Sequence, residues 1–182
     1  MIYRAILGIV CLVTITGCNT SNPNDVGYSN HKIQELCDFS KSFYMSRFNA
    51  AELRVALSSP DQMSGEIAEG SSCSYYQPAG AGSAYETYLG NVLLGFGKPQ
   101  SNDADNAESE KKLTVDGVVV TQEVEKIGNN QDPQKAGRTY VLSAYVDGWY
   151  GRMLFVRGDD EGTKAAAPLL VNMIQTLKGS VS

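Results

Sequence analysis

The spacing of apolar residues divides the chain into segments of different rhythm. Ala5 to Val13 is an almost unbroken apolar run, shorter than the roughly 20 residues a membrane-spanning helix needs. From Asn19 to Asn30 the chain is rich in Asn and Ser without an apolar period, the composition of a spacer. Ile33 to Phe48 places Ile33, Leu36, Phe39, Phe43 and Phe48 where they can face inward, and fits either a short helix or an extended segment. Asn49-Ala50-Ala51-Glu52 has the form of a helix start, with Asn as cap and Glu three residues on reaching back. Leu53, Ala56 and Leu57 are the expected inner face of that helix, and Ser59-Pro60 its stop.

From Cys73 onward the period falls to two. Cys73 to Gln77 is β-prone and ends in the turn-rich Pro78 to Gly82. Tyr85 to Phe96 reads as a strand with Tyr88, Val92, Leu94 and Phe96 on one side, Gly90 and Gly95 marking a bulge or an edge. Pro99 to Lys112 reads as a long exposed loop. Leu113 to Val124 is extended again: Val118, Val120 and Val124 face in, Val119, Thr121, Glu123 and Glu125 face out, and Asp116-Gly117 is a tight turn or a bulge. After the polar stretch Ile127 to Arg138 comes the clearest hairpin, Thr139–Val146 and Trp149–Arg157 around Asp147-Gly148, a pair that accepts the positive φ angles of a type I′ turn. Both faces of each arm carry bulk, which places the hairpin inside a sheet. The last element, Thr163 to Lys178, repeats Leu169, Leu170, Met173, Ile174 and Leu177 at helical spacing. Asp159, Asp160 and Glu161 precede it as a helix dipole favours, and Pro168 limits how early it begins. The fold class is therefore α+β: a mostly antiparallel sheet, with an N-terminal helical segment and a C-terminal helix packed on one face.

Charge and cysteines add an address. The apolar run follows Arg4 and ends in Ile15-Thr16-Gly17-Cys18, the layout of a secretory signal. Its last four positions resemble the bacterial lipoprotein signal, in which the thiol of Cys18 takes a diacylglycerol and becomes the mature N-terminus. The chain divides into a signal over residues 1–17, a lipidated cysteine and tether over 18–31, and one globular domain over 32–182. The formal charge of −5 argues against nucleic acid and against basic-patch adhesion to anionic lipid. Cys11 lies in the signal and Cys18 at the lipidation site, which leaves Cys37 and Cys73 as an even pair in an exported chain, hence one disulfide.

Several features together resemble the actinobacterial lipoproteins grouped as domain of unknown function 3558. They are the motif ending at Cys18, the polar spacer, Leu36-Cys37-Asp38, the segment Asn49 to Leu57, the Gly-rich link, Cys73-Ser74-Tyr75 and the closing Ala/Leu-rich helix. A second, C-terminal cysteine pair, frequent in such envelope domains, is absent here. The resemblance implies an envelope location and a fold, and supplies no activity.

No constellation for chemistry assembles. His31 is the only histidine and sits at the edge of the tether, so neither a triad nor a zinc site has its parts. Gly95-Phe96-Gly97-Lys98 lacks the spacing and the Ser/Thr of a phosphate loop and reads as a strand-ending turn. Asp103, Asp105, Glu108 and Glu110 lack the Gly and ligand order of a calcium loop. The expectation is a non-enzyme with no cofactor and no metal. The tyrosines and the single tryptophan fall on strands and turns, where rings with a polar tip either fill a core or form an interface. Tyr145, Trp149 and Tyr150, around the Asp147-Gly148 turn, are the candidate binding face. The functional expectation is a lipid-anchored interaction module on the extracytoplasmic face of the cell membrane, with an envelope protein as partner. The alternative is a carrier for lipid or another apolar envelope molecule.

Overall fold

The computed structural model describes residues 29–57, 62–68, 70–78, 86–97, 107–125 and 138–179. The signal run, Cys18 and the spacer up to Tyr28 lie outside them, as do Asp103 and Asp105. Helix α1 spans Ile33–Phe48, resolving the open reading of that segment as helix. The backbone N–H of Lys32 donates to Oε1 of Glu35 at 2.9 Å, which satisfies one of the orphan donors at the helix start. Ile33, Leu36, Cys37, Ser40 and Tyr44 form its buried stripe, and Phe39, Phe43 and Phe48 pack at its margins.

The helix expected over Asn49 to Leu57 does not form. Asn49 instead ends α1: it takes a left-handed conformation (φ 50°), and the N–H of Ala50 donates back to the Met45 carbonyl at 2.9 Å. Asn tolerates that conformation better than other residues with a Cβ, so the same side chain serves a helix stop as readily as a start. Arg54–Leu57 is strand β1, antiparallel to β2 (Ser71–Pro78). Ladder pairing along β2 outweighs the weak helix propensity of so short a segment.

The remaining strands are β3 (Glu86–Phe96), β4 (Ala107–Val115), β5 (Val118–Glu125), β6 (Thr139–Val146) and β7 (Trp149–Phe155). They form one seven-stranded sheet, order β1-β2-β3-β7-β6-β5-β4, with every neighbouring pair antiparallel. Residues 107–112 thus belong to edge strand β4 and not to a loop; their charged sequence suits a strand whose outer edge has no partner among the described residues. Asp116-Gly117 and Asp147-Gly148 are both two-residue turns with positive φ at each position, as a type I′ hairpin requires. The β6–β7 hairpin lies inside the sheet, flanked by β5 and β3.

Helix α2 runs Asp160–Leu177, starting before Pro168 rather than after it. Asp159 caps it, its Oδ1 accepting from the Gly162 N–H at 2.7 Å. Pro168 is exposed on the solvent side, where the Lys164 carbonyl it leaves without a donor can turn to water. Both helices pack on one face of the sheet, α1 over β2 and β3, α2 over β6 and β7. The layer between holds Trp149, Tyr44, Tyr75, Phe155, Met153 and Met173, all fully buried. Cys37 of α1 is bonded to Cys73 of β2 with Cα atoms 5.4 Å apart, which ties the helix to the sheet.

Candidate functional site: the open face of the sheet

Alternation along each strand sends the odd or even set to the helices and the other set to the opposite face. Neither helix packs on that opposite face, where Val141 is buried and Ser72, Leu93, Arg152, Ser143 and Leu154 are half-buried. It is the open face in the sense that, among the described residues, both helices lie on the other side, and the strand register arranges its side chains in rows. Across the middle runs Ser72–Leu93–Arg152–Ser143–Thr121–Lys112. Beside it runs Ser74–Asn91–Leu154–Val141–Glu123–Glu110. Along the strand direction a tyrosine pair stands on either side of these rows, Tyr76–Tyr88 beyond one and Tyr145–Tyr150 beyond the other.

At one end Arg54 lies over the Tyr76 ring, 4.5 Å from its centroid, and Tyr76 meets Tyr88 at 5.4 Å. Glu86 holds the Arg54 guanidinium through both carboxylate oxygens. That bond depresses the Glu86 carboxyl and raises the Arg54 guanidinium. Burial, with a smaller push from Tyr76, lifts the Tyr88 phenol to about 12. Arg152 reaches Glu125 at 3.7 Å across β6. Tyr88 belongs to this open side and not with Val92, Leu94 and Phe96: a β-bulge sets Leu89 and Gly90 together opposite Tyr75, and the strand changes parity there.

The bulge is shaped from below. A Cβ on Gly90 would lie 2.0 Å from the Leu154 carbonyl oxygen and 2.8 Å from the Tyr44 ring. Tyr44 takes that space, and its hydroxyl proton is shared between the carbonyls of Leu154 at 2.7 Å and Asn91 at 2.9 Å. Tyr44 also stacks on Tyr75, whose hydroxyl donates to the Cys37 carbonyl at 2.6 Å.

At the other end Tyr145 and Tyr150 are cross-strand partners. Val119 follows Val120–Ala144 in the register and so stands beside Tyr145. Val119 (53% exposed) and Tyr145 (49%) are the large hydrophobic side chains most open to solvent among the described residues.

Trp149 does not share this face. It points into the helix layer, fully buried, edge-on to Phe96 at 5.7 Å, and its indole N–H finds no acceptor among the described residues. Alternation within β7 forces the separation: Trp149 and Tyr150 are neighbours in sequence and so lie on opposite faces. Of the three residues expected at the Asp147-Gly148 turn, the structure brings Tyr145 and Tyr150 together and removes Trp149. The Tyr76–Tyr88–Arg54 cluster is not legible in the sequence, because Asn49 to Leu57 reads as a helix and Tyr88 reads as lying with Val92 and Leu94. Gly90 was the one available signal.

His31 pairs with Glu35 at 2.7 Å at the start of α1, and among the described residues no group of three His, Cys, Asp or Glu converges to hold a metal ion. Gly97 donates to the Gly148 carbonyl, which makes Gly95-Phe96-Gly97 a strand end anchored on the β6–β7 turn. Among the described residues no helix is long and apolar enough to cross a membrane. No protein-family model matches the chain, and no curated protein and no solved structure matches it.

Proposed function

We propose that this chain is a cell-envelope lipoprotein, acylated at Cys18 and held on the extracytoplasmic face of the cell membrane, that works as a non-enzymatic interaction module through the open face of its sheet. The observation that carries this reading is the division of labour between the two faces. Both helices and nearly all the large buried side chains lie on one side, while the other bears two tyrosine pairs, an exposed valine and rows that mix Ser72, Ser74, Ser143 and Thr121 with Arg152, Glu123 and a few aliphatic side chains. Rings with polar tips among hydroxyl groups are the composition of a protein-binding surface. The residues before Cys18 support the anchor, and the resemblance to the actinobacterial family 3558 agrees with that location.

The carrier reading needs room between sheet and helices, and that layer is occupied by Trp149, Tyr44, Tyr75, Phe155, Met153 and Met173. The interaction reading is preferred for that reason. Native mass spectrometry of the non-acylated domain purified from its own host separates the two: the bare mass is expected, and a stoichiometric lipid would favour the carrier. For the face itself, replacing Tyr76 and Tyr88 together by Ala should weaken recovery of one dominant envelope partner at least about tenfold. Gln175→Ala on the exposed side of α2 should leave recovery unchanged. Equal loss from both variants would contradict the assignment.

A further inference from the structure

The point where the domain meets its tether is fixed within the fold. Ser29 is fully buried; its N–H donates to the Ile67 carbonyl at 3.1 Å and its hydroxyl to the Leu177 carbonyl at 2.6 Å. That pins the first described residue at the C-terminal end of α2, where Lys178 also reaches Asp147 of the β6–β7 turn. The start of α1 lies here too, with Lys32 paired to Glu66. Val119 and Tyr145, the two exposed large hydrophobic side chains among the described residues, stand at this same end but on the opposite layer, next to the Asp116-Gly117 and Asp147-Gly148 turns.

We infer that this end of the domain rests on the lipid surface, with the strands rising from it and Val119 and Tyr145 in contact with the headgroup region. The inference rests on the acylation of Cys18 proposed above. Eleven Cα steps separate Cys18 from Ser29, so the chain between them spans at most about 40 Å. Bringing the opposite end down would draw that chain along α2, whose 18 residues occupy about 27 Å, and most of its conformational freedom would go. Laying the helix layer flat would lift Val119 and Tyr145 away, and laying the open face flat would stretch the tether round the domain. Only the end-on posture places the tether exit and the exposed apolar pair at the interface together. Tyrosine suits that position, with an apolar ring and a polar tip. Lys32 and Lys178 at this end are each paired with an acid. In this posture the Tyr76–Tyr88–Arg54 cluster is the part of the open face turned furthest from the membrane.

The test uses the acylated full-length protein on phosphatidylcholine vesicles carrying a headgroup nitroxide, with a fluorescent amino acid placed in turn at Val119, Gln175 and Glu161. All three positions lie at the protein surface. Several-fold stronger quenching at both Val119 and Gln175 than at Glu161 is expected. Quenching at Gln175 and Glu161 together with Val119 spared would mean that the helix layer lies flat, and quenching confined to Val119 that the open face does. Equal quenching at all three would mean no preferred end. Each of those results overturns the proposal. Protein that leaves the vesicles and carries no acyl group on Cys18 refutes the anchor itself, and the posture with it, and mass spectrometry of the N-terminal peptide identifies that case.

Discussion

Gly90 and Trp149 show how much single positions decide. Any side chain at Gly90 must displace both the Leu154 carbonyl and the Tyr44 ring, so Gly90→Ala should cost more than about 3 kcal/mol, read by denaturant unfolding. Tyr44→Phe keeps the ring and loses only the hydroxyl, and should cost about 1–2 kcal/mol. Trp149 is the only tryptophan and is wholly in the core. Its emission should be blue-shifted and shielded from iodide, and Trp149→Ala should cost about 3–5 kcal/mol. A red-shifted, quenchable tryptophan would return it to the surface. Ionisation limits stability at both extremes of pH. Backbone hydrogen bonds hold the Asp159 and Glu35 carboxyls below their usual range. Their contribution is present above the unfolded carboxylate pKa and lost as pH falls through the lowered one. Burial raises Tyr88 from 10.0 to about 12 and raises Tyr44 well above its ordinary value. Their contribution is complete below about pH 10 and lost above it. Thermal midpoints across pH should therefore fall on both sides of a broad maximum, and Asp159→Asn should flatten the acid side.

Elements were legible where the local pattern and the tertiary demand agreed. The β6–β7 hairpin announces itself through alternation and Asp147-Gly148, and the inward stripe of α2 through Leu170, Met173, Ile174 and Leu177. The disulfide is legible from the two cysteines that remain once Cys11 and Cys18 are set aside by the expected signal. The misses share one cause, a local signal with two structural meanings. Asn49 suits either end of a helix, Pro168 is tolerated inside a helix where its free carbonyl meets water, and the charges of β4 suit a loop as well as an exposed edge. In the candidate site, Tyr145 and Tyr150 were legible because they flank a recognisable turn. Trp149 was misplaced by treating nearness in sequence as nearness in space, and Tyr88 by a bulge that changes strand parity. The role of Asn49 can be tested directly. As a left-handed helix stop it should accept Gly with a gain or no loss, while Asn49→Ala should cost about 1 kcal/mol. If it were a helix start, Ser would be the better replacement and Gly the worse. Removing the disulfide by Cys37→Ser with Cys73→Ser should cost up to about 4 kcal/mol on the chain-entropy account, measured by chemical denaturation of the soluble domain.

For the whole molecule, the proposed anchor, the tether exit and the two-faced sheet give one arrangement. In that proposed arrangement acyl chains at Cys18 would hold the protein to the membrane, Ser29 would fix which end faces it, and the open face would stand along its side with the Tyr76–Tyr88–Arg54 cluster outermost. An acyl probe should label the wild type in cells and spare Cys18→Ala; labelling that survives the substitution would remove the anchor. The central claim is that partners are met through the open face, and photo-cross-linking in intact cells tests it most directly. A photoreactive residue at Ser143, in the middle of that face, should trap one dominant envelope protein, and the same residue at Gln175 on α2 should not. Trapping from Gln175 with none from Ser143 would contradict the account and move the binding surface to the helices.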